Sequence, residues 1–473
     1  MTDTDTEIIS AAESTTLWSA IRESLAGSHR DYTDGSIGRA VMLLAIPMVL
    51  ELALESVFAV VDVFFVSRLG ADAVATIGLT ESMLTITYAA AIGLSVGATA
   101  TIARRIGEKD SEGAARSAVQ AVALGVFVSV PIGLLGATFA RPLLKLMGAT
   151  PGVLANSAYT TIMLGMEGVI LMLFLINAVF RGAGDAAIAM RVLWLANTIN
   201  LCLDPCFIFG LGPFPRLGVT GAAVATTTGR GIGVLAQLYC LWRGKGRVVI
   251  KRRHIRLDPR VMLNMLRLSG SAVVQALVNT TSYVIVVRIV AAFGSSALAG
   301  YTIGIRMIIF ALLPSWGMSN AAATLVGQNL GAGKPDRADA SAWRSAFYNM
   351  CFLAGVSVIF VAFAPALVSM FTSDPSVTPY AIRCLRIVSS GFVFYAYGMV
   401  LTQAFNGAGD TLTPTLLNLL CFWAFQIPLA YGLARTLGLG PQGVFWALAL
   451  AFSLLAVLSA AIFRRGHWKL KRV

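Results

Sequence analysis

The sequence predicts an all-α integral membrane protein, with about twelve transmembrane helices in two pseudo-twofold related six-helix bundles. Three observations carry this prediction. First, 57% of the 473 residues are hydrophobic and only 12% are charged, roughly half the charged fraction of a soluble domain. Second, the apolar residues fall in continuous runs close to the ~20 residues that cross a bilayer as a helix, not in the ~10-residue alternating segments of a β-barrel. Third, short motifs recur at a nearly fixed spacing, as detailed below.

Residues 1–36 are rich in Ser, Thr and acidic side chains and lack a secretory apolar stretch, so they read as a cytoplasmic arm. Within the arm, Leu17, Trp18, Ile21 and Leu25 share one helical face, which predicts a short helix on the membrane surface. Apolar runs near 40–66, 74–102, 117–141, 156–180, 192–212 and 218–242 form an N-terminal lobe over 37–242. The connector 243–260 contains "RGKGRVVIKRRHIR" (243–256), a basic surface suited to anionic lipid head groups. Runs near 262–290, 297–326, 345–371, 380–405, 414–436 and 441–463 form a C-terminal lobe over 261–463, and 464–473 is a basic tail.

Four motif pairs link the lobes. "FRGAGDAAIAM" begins at Phe180 and "FNGAGDTLTPT" at Phe405, and 405 − 180 = 225. "LGADAVATIG" from Leu69 matches "FGSSALAGYT" from Phe293 at a spacing of 224, and Gly107 of "RRIGEKD" matches Gly331 of "QNLGAGK" at 224. "LGVTGAA" (217–223) matches "LGPQGVF" (439–445) at 222. Six is an even number of spans, so both halves enter from the same side and form a parallel repeat about an axis along the membrane normal. Two such bundles can rock about a central cleft. In the GAGD turns, Asp185 and Asp410 are expected to cap the following helices.

The formal charge of +13 reflects topology rather than nucleic-acid binding. With both ends cytoplasmic in a cell (inner) membrane, roughly 25 of the basic residues lie inside, about 8 outside and about 3 within spans, as the positive-inside rule requires. The six cysteines, including Cys202 and Cys206 at i, i+4, sit in or beside apolar runs and read as packed thiols, not disulfides or zinc ligands. The three histidines lie outside the spans, and no nucleophile or metal-binding pattern supports an enzyme.

Acids inside spans are unevenly placed. Glu51, Glu55 and Asp62 lie in the first run, Glu81 in the second, Glu167 in the fourth and Asp204 in the fifth, while runs seven to twelve have none away from their ends. A charge at mid-bilayer costs at least about 2.5–3.5 kcal/mol, which makes each acid a functional candidate. At 100° per residue, Glu55 and Asp62 fall within about 40° and 20° of Glu51, so the three share one face. Pro47 removes a helical hydrogen bond one turn earlier and offers a hinge. Arg230 can neutralise one of the three acids Glu51, Glu55 and Asp62. The fifth run adds Asn197, Asn200 and Asp204, with Pro205 interrupting the ladder; Asp204 as a helix cap is the alternative.

These features resemble the multidrug and toxic compound extrusion (MATE) family, and within it the DinF-like branch. The resemblance rests on Pro47 fifteen residues before Asp62, "LDPCFIFG" (203–210), "GVTGAAVAT" (218–226), the paired GAGD turns and the twofold plan, and covers residues 37–463. It implies a monomeric antiporter, without cofactor, that exports small organic, often cationic molecules in exchange for H⁺ or Na⁺. The implied cation-coupling positions are Asp62, Asn177, Asn200, Asp204 and Thr226, with a Na⁺ held by Asp62, Asn177, Asn200 and Asp204. The extra acids Glu51 and Glu55 would enlarge that site, and Phe58 replaces a tyrosine common in related sequences. The NorM-like branch, with acids in the C-terminal lobe, fits less well.

Protonation of Asp62 and Asp204 would bend the first helix at Pro47 and expel substrate. Phe58, Phe64, Tyr88 and Tyr283 would line a cavity for flat amphiphiles, since aromatic faces attract cations. Met163, Met166 and Trp316 would complete it. The alternative is a flippase for a lipid-linked substrate, which would use Arg230, Arg288 and Arg306; it requires Arg230 and Arg306 to point into the cleft.

Overall fold

Glycines with left-handed backbone mark the same turns in both halves of the chain. Gly70 (φ 101°) pairs with Gly294 (103°), Gly184 (89°) with Gly409 (86°), and Gly218 (60°) with Gly440 (58°). A side chain at these φ values is strained, so each repeated motif marks a backbone requirement. The structure, a computed structural model, describes residues 17–27 and 31–471.

A short helix α1 (Leu17–Ala26) precedes the N-terminal lobe. That lobe contains α2 (Ile37–Ser67), α3 (Ala71–Gly107), α4 (Ser111–Leu146), α5 (Pro151–Ala155), α6 (Ser157–Gly165), α7 (Glu167–Ala183), α8 (Ala186–Phe209) and α9 (Val219–Arg243). The C-terminal lobe contains α10 (Pro259–Ala291), α11 (Ser295–Gly331), α12 (Pro335–Ser369), α13 (Thr378–Ser390), α14 (Phe392–Gly407), α15 (Leu412–Thr436) and α16 (Pro441–Arg464). The fourth and tenth runs, read as continuous, are each broken. The segments α6 and α7 bend by 41°, and α13 and α14 by 57°. The breaks at Met166 and Gly391 are 391 − 166 = 225 residues apart, so the bend belongs to the repeat.

Among the described residues nine helices are long and apolar enough to cross a membrane, and eleven spans result when each bent pair counts as one. The twelfth, α9, is diluted by Thr226, Thr227, Thr228 and Arg230. Apolar side chains such as Leu135, Phe139, Val358 and Phe363 are exposed, as expected of a multi-pass membrane protein whose outer surface meets lipid.

The lobes meet along α2, α3, α10 and α11. A Cβ on Gly93 of α3 would lie 2.8 Å from the Ser269 carbonyl of α10, and one on Gly317 of α11 would lie 2.7 Å from the Met48 carbonyl of α2. These are one contact made twice, because 317 − 93 = 224. Deeper in the same seam, Cβ atoms on Gly107 and Gly331 would lie 2.0 Å from the Gln328 carbonyl and 2.1 Å from the Arg104 carbonyl. All four glycines lie in the C-terminal halves of α3 and α11. At the opposite end Gly78 has open space around it. The lobes are therefore closed at the end where α2 and α10 begin, the base, and diverge toward the opposite end, the mouth.

Residues 31–36 and part of the connector pack against the base, while Lys251, Arg252, Arg253 and Arg256 of the connector remain exposed. Tyr32 is buried, with the Arg247 guanidinium 4.8 Å above its ring. Lys334 pairs with Asp34 at 2.5 Å, and Arg337 donates to the carbonyls of Tyr32, Asp34 and Gly35. This strap ties both lobes together beneath the base. In the connector, His254 is buried 2.7 Å from Glu112, which also pairs with Arg253. Gln120 bridges the Arg256 carbonyl and the Asp258 amide. Helix α1 packs on α2 and α8, with Glu23 bonded to Arg39 at 2.5 Å, rather than resting on a membrane surface alone. Residues 1–16 and the side chains of Leu17 and Trp18 lie outside the described residues.

Neither GAGD aspartate caps its helix with its side chain: Asp185 stands at the N-cap position without a capping bond, and Thr411, not Asp410, occupies that position in the second half. Asp185 accepts the Arg247 backbone N–H at 2.6 Å, and Asp410 accepts from the Thr413 hydroxyl at 2.7 Å and pairs with Lys471 at 3.4 Å. Each therefore clamps the segment that follows its lobe's last helix; 471 − 247 = 224. Asp185→Ala is expected to cost about 1–3 kcal/mol by leaving a nearly buried N–H unpaired, measured as a lower unfolding midpoint in detergent.

Candidate functional site

The α2 acids face three other helices of their own lobe, as one shared face requires. Glu51 is 1% exposed, and its Oε1 accepts from Arg181 at 2.8 Å and from Asn177 at 3.1 Å, both on α7. Asn177 Oδ1 accepts in turn from Gln237 of α9 at 2.6 Å. One turn on, Glu55 accepts from Asn197 of α8 at 2.7 Å and lies 3.6 Å from Arg230 of α9. Arg230 thus pairs with Glu55, while Glu51 is neutralised by Arg181.

Asp62 and Asp204 form a separate centre near the mouth. Asp62 is 67 − 62 = 5 residues from the end of α2, and Asp204 is 209 − 204 = 5 from the end of α8. Asp204 lies inside a continuous helix, not at a cap. With the Asn200 amide oriented so that its NH2 meets an acceptor and its oxygen meets donors, it donates to Asp204 Oδ2 at 3.1 Å and accepts from the Thr226 N–H at 3.0 Å and hydroxyl at 2.9 Å. Asp62 and Asp204 lie within each other's electrostatic reach. Each keeps one buried oxygen, Oδ1, without a hydrogen-bond partner among the described residues. Neither has an arginine or lysine within ion-pair distance among those residues.

Two sequence expectations require correction. Asn177 does not join Asp62, Asn200 and Asp204: it is bonded to Glu51, eleven residues and about 16 Å along α2 from Asp62, so the expected Na⁺ quartet is not assembled. Met163 is 5% exposed and packs with Val66, Ile77 and Tyr159, so it is a core residue. The other cavity candidates are at least partly accessible. Phe64 lies under the Arg68 guanidinium at 4.5 Å, and Tyr88 packs edge-on against Phe174. Met166, Tyr283 and Trp316 are 47%, 44% and 48% exposed, and Phe58 is half-buried. Pro47 lies within an unbroken α2.

Sequence reasoning missed Arg181 and Gln237. Arg181 follows Asn177 by four residues, hence on the same helix face, but it was absorbed into the GAGD motif. Glu167 is buried at the α6–α7 break, where Thr87 of α3 is a polar neighbour of its carboxylate.

Comparison with known proteins agrees with this architecture. The MatE family model matches residues 47–206 and 271–432, two segments whose starts differ by 271 − 47 = 224. The probable multidrug resistance protein NorM of Thermotoga maritima is 27% identical, over 92% of this chain and 94% of its own. An FAD transporter of Shewanella oneidensis is 28% identical over 83% and 87%. Among solved structures, an outward-facing multidrug resistance MATE family transporter of the MOP superfamily superposes with a TM-score of 0.86 at 25% identity, covering 92% of this chain and 96% of that one. With two duplicated bundles closed at the base and acids gathered inside the first, this chain belongs to the MatE family of multi-pass membrane transporters.

Proposed function

We propose that the protein is a DinF-like secondary antiporter that exports organic compounds in exchange for protons, with Asp62 and Asp204 as the coupling pair. Both termini would lie in the cytoplasm, so the open mouth faces outward. The observation that carries this reading is the contrast among the acids: Glu51 and Glu55 have arginine partners, whereas Asp62 and Asp204 are near one another with an unpartnered oxygen each. Two carboxylates within each other's electrostatic reach in a poorly hydrated site repel one another, and binding a proton relieves this, while the Arg230 charge acts on Asp62 in the opposite sense. Asn200 and Thr226 orient Asp204 so that its free oxygen is presented to the proton. A proton gained through the mouth and released after the lobes rock would couple its descent to substrate exit. Glu51 and Glu55 take a structural role in this reading.

The test is efflux of a cationic dye from proteoliposomes under an imposed pH or Na⁺ gradient. Wild-type efflux is expected to follow the pH gradient, and Asp62→Asn and Asp204→Asn should each lose about tenfold or more of the gradient-driven rate, the scale of a typical coupling free energy. Undiminished efflux in both variants overturns the site, and efflux driven by Na⁺ alone overturns the proton. The flippase reading is less well supported, because Arg230 is engaged by Glu55.

A further inference from the structure

Two opposite charges in the mouth are not used by the coupling centre. Glu81 lies ten residues from the start of α3, and Arg306 lies eleven from the start of α11. In α3 and α11 the repeat spacing is 224, so Arg306 lies one residue past Ile305, the counterpart of Glu81. Both are exposed, and neither side chain has a hydrogen bond or ion pair within 4 Å among the described residues.

Their direction follows from the seam. Ala103 of α3 touches Gly327 of α11 at the base: a Cβ on Gly327 would lie 2.7 Å from the Ala103 Cβ. Glu81 lies 22 residues before Ala103 and Arg306 21 before Gly327, which at 100° per residue leaves about 40° and 60°. Both side chains therefore project from the faces that meet lower down, but at a level where the helices have separated. Each lies within the electrostatic reach of the other across the gap. Glu81 is within electrostatic reach of Asp62, and Arg306 within that of Tyr283.

We propose that Glu81 and Arg306 form a divided substrate-binding pair, which selects molecules carrying both a cationic and an anionic group. The ammonium end would rest on the acidic wall of the N-terminal lobe, and the carboxylate or phosphate end would take the Arg306 guanidinium as a charge-assisted, two-pronged contact. The proposal rests on the transporter reading only in naming what the cleft holds. A single acidic wall suits simple cations; a guanidinium opposite it adds affinity only when the ligand is dipolar.

The experiment compares a fluoroquinolone zwitterion with its methyl ester, which keeps the ammonium and lacks the carboxylate. Equilibrium binding to the purified full chain in nanodiscs, read by quinolone fluorescence without any gradient, separates this proposal from proton coupling. Wild type is expected to bind the zwitterion about tenfold tighter than the ester, the scale of one hydrogen bond to a charged group. Arg306→Gln should weaken zwitterion binding about tenfold and leave the ester within about twofold, and Arg306→Lys should restore part of the preference. Glu81→Gln should weaken both ligands. Equal losses for both ligands in Arg306→Gln, or no loss for either, overturn the proposal. Intact ester binding in Arg306→Gln verifies that the variant is folded.

Discussion

Arg181→Ala is expected to lower the stability of the folded protein by about 3–5 kcal/mol, because it leaves the Glu51 carboxylate buried without its countercharge. Glu51 is 1% exposed, and its second oxygen already lacks a partner among the described residues. Asn177, the remaining donor, cannot offset a full charge. The double variant Arg181→Ala with Glu51→Gln should recover most of the loss, since a neutral amide needs no counterion. A double-mutant cycle of unfolding midpoints in detergent measures the coupling. If the double variant is as unstable as Arg181→Ala alone, the damage comes from lost packing and the ion-pair account fails. The Arg181 carbonyl accepts from Thr324, and the Gly182 carbonyl from Gln328, both across the seam; these backbone acceptors persist in Arg181→Ala, so the base contacts should be retained.

Gly107→Val and Gly331→Val should drive the base apart directly. The added Cβ would fall 2.0 Å from the Gln328 carbonyl and 2.1 Å from the Arg104 carbonyl. The obstructing atoms are helix backbone, so no side chain can swing aside and the helices themselves must move. Overpacking of this kind costs about 1–3 kcal/mol or more, and it falls on the closed-base state alone. The measurement is thiol labelling of Thr324→Cys, a buried position, in a background freed of the six native cysteines. Labelling from the base side should rise about tenfold in either glycine variant, the population shift that about 1.4 kcal/mol produces. An unchanged rate would mean that the base does not depend on this approach.

The parts of the fold legible in the sequence were those fixed by backbone geometry. Gly70, Gly184 and Gly218 recur as Gly294, Gly409 and Gly440 because each turn demands a φ that other residues resist. The acidic face of α2 was legible for a similar reason: helical periodicity alone sets which residues share a side. Partner choice was not legible. Nothing local to Glu51 indicates that Arg181, 130 residues away, meets it rather than Arg230. The packed strap at Tyr32 was hidden because a polar composition describes a segment's average, whereas a single buried ring fixes its position. The GAGD aspartates misled because capping is a local rule, and a tertiary partner outcompeted it at both positions. The breaks at Met166 and Gly391 leave an apolar run apolar, so hydropathy does not register them.

The duplicated contact of Gly93 with α10 and Gly317 with α2 bears on how the protein avoids becoming a hole. Because one contact occurs twice about the pseudo-twofold axis, a passage through the base requires the backbone approach to be lost on a flank where no side chain stands between the helices. Closure is thus shared between two like seams, without a dedicated plug in either.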